Sequence, residues 1–338
     1  MISLLFLTGA CFKKKNDNKS IIDTQSITEK TKAQKLAEFV LSDGINADTS
    51  PKIITATSIY NALDTNIHII DIRNAKDFAS GHIKNAINIK RSEILDYAKV
   101  KGLPMYDKVV IVCYTGQTAS YSAAILQMLG HNNIYVLEWG MGSWNKKFSK
   151  KWEKNSSDKG IQNLVTKASP KNKPSSLPII KSKKNSAQEI LKIRARAILK
   201  ESFGNSCVDF KFAESNAKAN TAYVICYQPE AVYNSGHIEN AILYDQNNSF
   251  SLSTNLLTLP PDKTIVLYSD RAYQSTYIMV YLKMLGYKAK TLKYGANTFM
   301  NSKLIELGTG FSKKEVNNYP FETSIYIEVV GEVQEGGC

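Results

Sequence analysis

The chain lacks any apolar run long enough to cross a membrane as a helix; its N-terminal stretch Ile2–Ala10 falls far short of the ~20 residues required. Cysteine is also sparse, with five (Cys11, Cys113, Cys207, Cys226 and Cys338) in 338 residues. These show no Cys-x-x-Cys pairing and no histidine at ligand spacing, so no metal site and no disulfide framework is expected. A Cys207–Cys226 pair stays open for an exported protein. No nucleic-acid-binding motif accompanies the formal charge of +13, so nucleic acid is not an expected partner.

What is present fits a soluble globular chain, with a hydrophobic share of 43% and a charged share of 22%. The length suits two domains of about 110 to 150 residues each. Much of the positive charge is concentrated: residues 151–186 hold nine lysines against Glu153 and Asp158. Rich in Lys, Ser, Asn and Pro, residues 151–185 read as a solvated basic linker.

An internal repeat organises the rest. Residues 69–88 read IIDIRNAKDFASGHIKNAIN, and residues 224–243 read VICYQPEAVYNSGHIENAIL, so that His82 matches His237. IVCY at 111–114 is set against IVLY at 265–268, LQMLGH at 126–131 against LKMLGY at 282–287, and WGMGSW at 139–144 against YGANTF at 294–299. On this alignment Cys113 falls opposite Leu267. Within each copy short apolar runs (Ile67–Ile72, Val109–Tyr114, Asn133–Leu137) alternate with helical spacing, as over Thr118–Leu129. Continuous apolar strands separated by helices predict an α/β fold, each copy a mostly parallel sheet with helices on both faces. Ser186-x-x-Glu189 has the pattern of a capping box opening the second copy.

The chemistry converges on one connection. Cys113 ends a strand, and Tyr114-Thr115-Gly116-Gln117 leads into a helix near Thr118. Such a turn aims several backbone N–H groups and the positive end of a helix at one point. A thiol there is expected to be partly ionised and nucleophilic, with Thr115, Gln117 and Thr118 adding side-chain hydrogen bonds.

Strand-Asp71-x-Arg73, Phe78-x-x-Gly81-His82-Ile83, Cys113-x-x-Gly116-x-Thr118-Ala119 and Gly140-x-x-x-Trp144, in that order, resemble the rhodanese homology domain, here in the tandem two-domain form. The resemblance is strong over roughly 45–150 and weaker over 190–305. It implies two rhodanese-like domains and ping-pong sulfur transfer through a Cys113 persulfide, between a small sulfur donor and a small or protein acceptor, with no cofactor. The persulfide-binding loop would be Tyr114, Thr115, Gly116, Gln117 and Thr118. Thiosulfate-using members often carry basic residues where Tyr114 and Thr115 are neutral, so Lys90 and Arg91 are the candidate cations for the mouth, and polysulfide or persulfide stands beside thiosulfate as donor. The related phosphatase branch closes a longer loop with arginine, whereas Thr118 and Ala119 stand here.

Other residues carry structural readings. Asp71 and Arg73 read as a bracing ion pair, His82 as a turn-bracing side chain, and Trp139 and Trp144 as packing residues. The second copy, with Leu267 opposite Cys113 and Cys226 and Gln228 opposite Asp71 and Arg73, reads as degenerate. At the N-terminus, Leu7-Thr8-Gly9-Ala10-Cys11 resembles a bacterial lipoprotein signal, implying lipidation of Cys11 and anchoring at the cell envelope, facing the periplasm or exterior; an uncleaved cytoplasmic N-terminus is the alternative. The expected order is a signal (1–11), a tether (12–28), a first domain (29–150), the linker (151–185), a second domain (186–330) and a tail (331–338). Three functions remain open: a sulfurtransferase, a dedicated persulfide carrier or sensor, and a non-catalytic binding or assembly lipoprotein.

Overall fold

The computed structural model describes residues 30–42, 51–246 and 249–326. The signal with Cys11, the tether and the tail with Cys338 lie outside them. No helix among the described residues is long and apolar enough to cross a membrane.

Each copy is built on a five-stranded, all-parallel sheet. The first holds β1 (Ile53–Ile54), β2 (Ile67–Asp71), β3 (Ile87–Asn88), β4 (Lys108–Val112) and β5 (Ile134–Leu137), in the order β1-β5-β4-β2-β3. The second repeats that order with β6 (Cys207–Val208), β7 (Ala222–Cys226), β8 (Ile242–Leu243), β9 (Thr264–Tyr268) and β10 (Ala289–Leu292), as β6-β10-β9-β7-β8. Successive strand side chains point to opposite faces, so a strand covered on both sides must be apolar throughout. Val109 and Ile111 of β4 accordingly enter one core, while Val110 and Val112 enter another.

The core on one face is shared. Val109, Ile111 and Leu126 from the first copy and Ile265, Leu267 and Leu282 from the second belong to one cluster of buried residues. The helices that join them, Gln117–Met128 and Tyr273–Met284, pack against each other. All twelve residues of Gln117–Met128 are buried.

Several expectations are corrected here. Residues 151–185 are not a free linker but a strap laid along the second copy. Trp152, on the short helix Lys150–Asn155, is buried with Trp139 and Phe311, and further on Val165 bridges His237 and Ser169 bridges Ile242. Leu177 and Ile180 then enter the shared core. A few apolar anchors spaced among lysines hold the strap, a pattern with no period to detect. The second domain does not extend to 330 as a unit either. The segment after its last long helix returns to the first copy, where Asn317 N–H donates to Ser143 O at 2.9 Å, Trp144 Nε1 donates to Pro320 O at 2.8 Å, and His82 pairs with Glu322. Ser186 occupies the N-cap of Ala187–Lys200 but makes no side-chain cap bond, and Glu189 instead pairs with Lys184 at 2.8 Å, so the capping box does not form.

Candidate active site

β4 ends at Val112 and the helix begins at Gln117, leaving Cys113, Tyr114, Thr115 and Gly116 to turn the chain. Gly116 turns it at φ +93°, a conformation costly for any residue with a Cβ. The turn is pressed onto the loop after β5. A Cβ on Gly140 would sit 2.6 Å from Cys113 O and from Thr115 N, so only glycine fits there. Met141 N–H then donates to Cys113 O at 2.9 Å.

This geometry brings the N–H groups of Gly116 and Ala119 to Cys113 Sγ, at 3.1 and 3.3 Å. The cradle expected from the sequence is therefore present, but its electrostatic outcome is not. Cys113 is 1% exposed, and burial pushes its thiol above the ordinary value, outweighing the N–H groups of Ala119, Thr115, Gly116 and Thr118 that pull it down. Burial thus works against the partial ionisation expected from the turn's N–H groups alone.

The flanking residues divide between the two copies. Tyr114 leans toward the first copy, its hydroxyl donating to Asp77 at 2.5 Å and accepting from Asn74 Nδ2 at 2.8 Å, with the Lys151 ammonium 4.1 Å from its ring centre. Thr115 Oγ1 and Thr118 Oγ1 are buried and, among the described residues, have no hydrogen-bond partner. Gln117 turns away from the sulfur. Its Nε2 donates to Leu292 O at 2.9 Å, and its Oε1 accepts from Tyr294 N–H at 3.2 Å, so it serves the contact between copies and not the persulfide loop. Arg91 is likewise committed elsewhere, donating to Glu201 O at 2.6 Å with its guanidinium over the Tyr121 ring. Lys90 is exposed on the turn after β3.

Asp71 and Arg73 form a buried pair, Nη2 to Oδ2 at 2.6 Å, with Arg73 Nη2 also donating to Gly81 O at 2.7 Å. Asn88 Nδ2 ties the Asp71 and Arg73 carbonyls together at 2.8 and 2.9 Å. The pair thus braces the turn that carries Asn74 and Asp77, which hold Tyr114. His82 stacks on Phe78 and shares a 2.9 Å hydrogen bond between Nδ1 and Phe78 O, the turn-bracing geometry.

In the second copy the strand-to-helix turn runs from Ser269 to Ala272, four residues as in the first, so the counterpart of Cys113 is Ser269 and not Leu267. Contacts agree: Ala296 N–H donates to Ser269 O at 2.8 Å, as Met141 does to Cys113 O, and Ser275 N–H reaches Ser269 Oγ at 3.3 Å, as Ala119 does to Cys113 Sγ. The sequence alignment slipped by two because IVCY and IVLY look alike, whereas strand register and helix start fix the true offset. Asp270 beside it is half-buried, and its partial removal from water raises its carboxyl above the ordinary value. Cys207 and Cys226 are buried thiols that form no disulfide with each other.

One residue of the site was not visible beforehand. Tyr273, first residue of the second copy's helix, lies on the Cys113 loop, and its hydroxyl accepts from Trp139 N–H at 2.6 Å. A Cβ on Gly116 would sit 2.6 Å from its ring. The signal was its equivalence to Gln117, hidden by the slipped alignment.

The Rhodanese-like domain family matches the chain twice, over residues 55–147 and 213–302, together more than half of it. The chain is similar to thiosulfate sulfurtransferase GlpE of Pseudomonas putida (strain GB-1), 30% identical over 76 residues, which is 22% of this chain and 67% of that protein. Among solved structures it is similar to a rhodanese-like domain protein from Staphylococcus aureus, 29% identical over 28% of this chain and 92% of that one, TM-score 0.24. A thiosulfate sulfurtransferase from Pseudomonas aeruginosa is 14% identical over 86% of this chain and 49% of that one, TM-score 0.30. With both repeats matched and the same sheet built twice, the chain belongs to the rhodanese family, as a tandem of two rhodanese-like domains.

Proposed function

We propose that the chain is a sulfurtransferase that carries sulfane sulfur on Cys113. The observation that supports this most is the convergence of the Gly116 and Ala119 N–H groups on Cys113 Sγ. A persulfide formed there would have its charge held by groups already in place, in the manner of an oxyanion hole. With thiosulfate as donor, the Cys113 thiolate attacks the sulfane sulfur, the donor's S–S bond breaks, and sulfite leaves with the bonding pair. A nucleophilic acceptor such as cyanide then takes the outer sulfur, and the Cys113 thiolate leaves. Hydropolysulfide or a small persulfide fits the uncharged loop residues Tyr114 and Thr115 at least as well as the dianion does. Delivery to a dedicated protein acceptor is the second reading, favoured by the burial of Cys113, which shields a stored sulfur from water.

Intact mass after exposure to thiosulfate or polysulfide, and then to cyanide, tests the cycle. One sulfur atom is expected on the wild type, removed by cyanide and absent in Cys113→Ser. A wild type that gains no sulfur from either donor would leave a scaffold that only binds. Cys11 as a lipid anchor is a separate proposal from the Leu7–Cys11 pattern. It predicts that cells fed labelled palmitate incorporate label into the wild type and not into Cys11→Ser; label in both or in neither argues against it.

A further inference from the structure

The two copies exchange their helix-start residues across a quasi-twofold seam. Gln117 accepts from Tyr294 N–H in the second copy, and Tyr273, its equivalent, accepts from Trp139 N–H in the first. Trp139 and Tyr294 are themselves equivalent, each held at positive φ (60° and 61°) just before a glycine. The exchange is structurally symmetric but chemically unequal. Gln117 binds the backbone of Leu292 and Tyr294 after β10, in the copy whose turn carries Ser269, whereas Tyr273 covers the turn that holds the thiol.

Tyr273 is held at several points. Ser120 Oγ donates to its carbonyl at 2.8 Å, and its ring rests against Gly116 and edge-on to Trp139. Two residues earlier, Arg271 pairs with Glu138 of the first copy, lies over the Trp139 ring at 5.3 Å, and donates to Gly308 O and Thr309 O. Beneath this closure lie Cys113, 1% exposed, and the buried hydroxyls of Thr115 and Thr118, without partners among the described residues. Buried polar groups normally find partners, and two hydroxyls left without one among the described residues, in the turn that follows Cys113, leave donors and acceptors for a polar guest.

We propose that Tyr273 is the specificity-determining residue of the Cys113 site. It leaves room for slender, unbranched sulfane-sulfur species such as hydropolysulfide, and holds off donors in which the sulfur is flanked by a bulky group. The silent copy thus contributes the wall that selects the donor. This rests on the reading of Cys113 as the sulfur acceptor, but the seal itself is testable without any sulfur transfer.

The experiment measures alkylation of Cys113, located by peptide mass, with iodoacetamide as the small probe and pyrene maleimide as the bulky one. Each rate is normalised to that of glutathione. In the wild type the normalised bulky rate should fall about tenfold or more below the small one, because the bulky probe needs the seam open. Tyr273→Ala should bring the two rates within about threefold of each other, while Tyr273→Phe, which keeps the ring, should hold the wild-type ratio. Glu138→Gln, which loosens the Arg271 clasp and leaves the ring, should raise the bulky rate about threefold, and it stands in if Tyr273→Ala does not fold. An unchanged ratio in folded Tyr273→Ala overturns the proposal, as does an equal rise of both rates in either variant. If instead the wild type takes up no sulfur while the ratio responds as described, the sulfurtransferase reading fails and the seal stands.

Discussion

Substituting Gly116 by alanine asks whether Tyr273 rests on the Cys113 turn in solution. The change does two separable things. It places a Cβ on a residue at φ +93°, ψ −24°, which costs about 1–2 kcal/mol for an L-residue. It also drives that carbon to 2.6 Å from Tyr273 Cε1 and 3.0 Å from Cζ, well inside contact distance. Tyr273 is fully buried and fastened at its hydroxyl, so its ring cannot simply swing aside. Overpacking of that kind costs about 1–3 kcal/mol, giving about 2–5 kcal/mol for Gly116→Ala in all. In a Tyr273→Ala background only the backbone strain remains, about 1–2 kcal/mol, so the cycle should show coupling of about 1–3 kcal/mol. Urea unfolding followed by tryptophan fluorescence reads this well, because Trp139, Trp144 and Trp152 are all buried. Equal costs of Gly116→Ala in both backgrounds would refute the reasoning, for they would mean the ring is not there to be struck.

Three further outcomes follow from the same geometry. Arg73→Met should cost about 3–5 kcal/mol by leaving the buried Asp71 carboxylate unpaired, and adding Asp71→Leu should restore part of it; a double variant no more stable in urea than Arg73→Met contradicts the bracing role. Burial pushes Cys226 up to about 12, against roughly 8.5 in an unfolded chain. An acid raised in the folded state contributes its full stability below the unfolded value and loses it as pH climbs toward the folded one. About 2–3 kcal/mol should therefore be gone by about pH 10.5. Cys226→Val should flatten the fall in urea stability between about pH 9 and 11, and parallel curves would remove the thiol as its cause. Residues 51–165 expressed alone should bind a hydrophobic dye and associate, because Gln117–Met128 would lose its cover; a dye-silent, cooperatively melting monomer would show that the first copy stands by itself.

The sheet and its duplication were open to reading because they repeat. The apolar runs of β4 and β2, the Ser-Gly-His-Ile blocks at His82 and His237, and the glycines at 116 and 140 each record a local constraint. The turn at Cys113 was legible for the same reason, since a strand, four residues and a helix leave little freedom. The strap from 151 to 185 and the return of Asn317 and Glu322 to the first copy were not. Both are held by single contacts at irregular intervals, Trp152 here and Pro320 there, and no periodicity marks them. For Cys113 the sequence shows which N–H groups gather but not how completely water is removed, and burial, the larger effect, pushes the thiol up.

The seam is the instructive case, because its signal was in plain view. A helix on the outside of an α/β domain keeps a polar face toward solvent, and one that is apolar all round must be covered on both sides. Gln117–Met128 (QTASYSAAILQM) and Tyr273–Met284 (YQSTYIMVYLKM) have between them one charged residue, Lys283, and both are almost wholly buried. Two such helices at equivalent places in a duplicated fold have one economical partner each, namely the other. Their mutual packing places the two helix starts side by side, and the turn leading into one of them carries Cys113. A duplicate joined through these faces sets the first residue of each helix against the other copy's loops, Gln117 at Leu292 and Tyr294, and Tyr273 at Gly116 and Trp139. Position 269 carries a serine within that same geometry, so the second copy sets Tyr273 against the Cys113 turn without a thiol at the equivalent place.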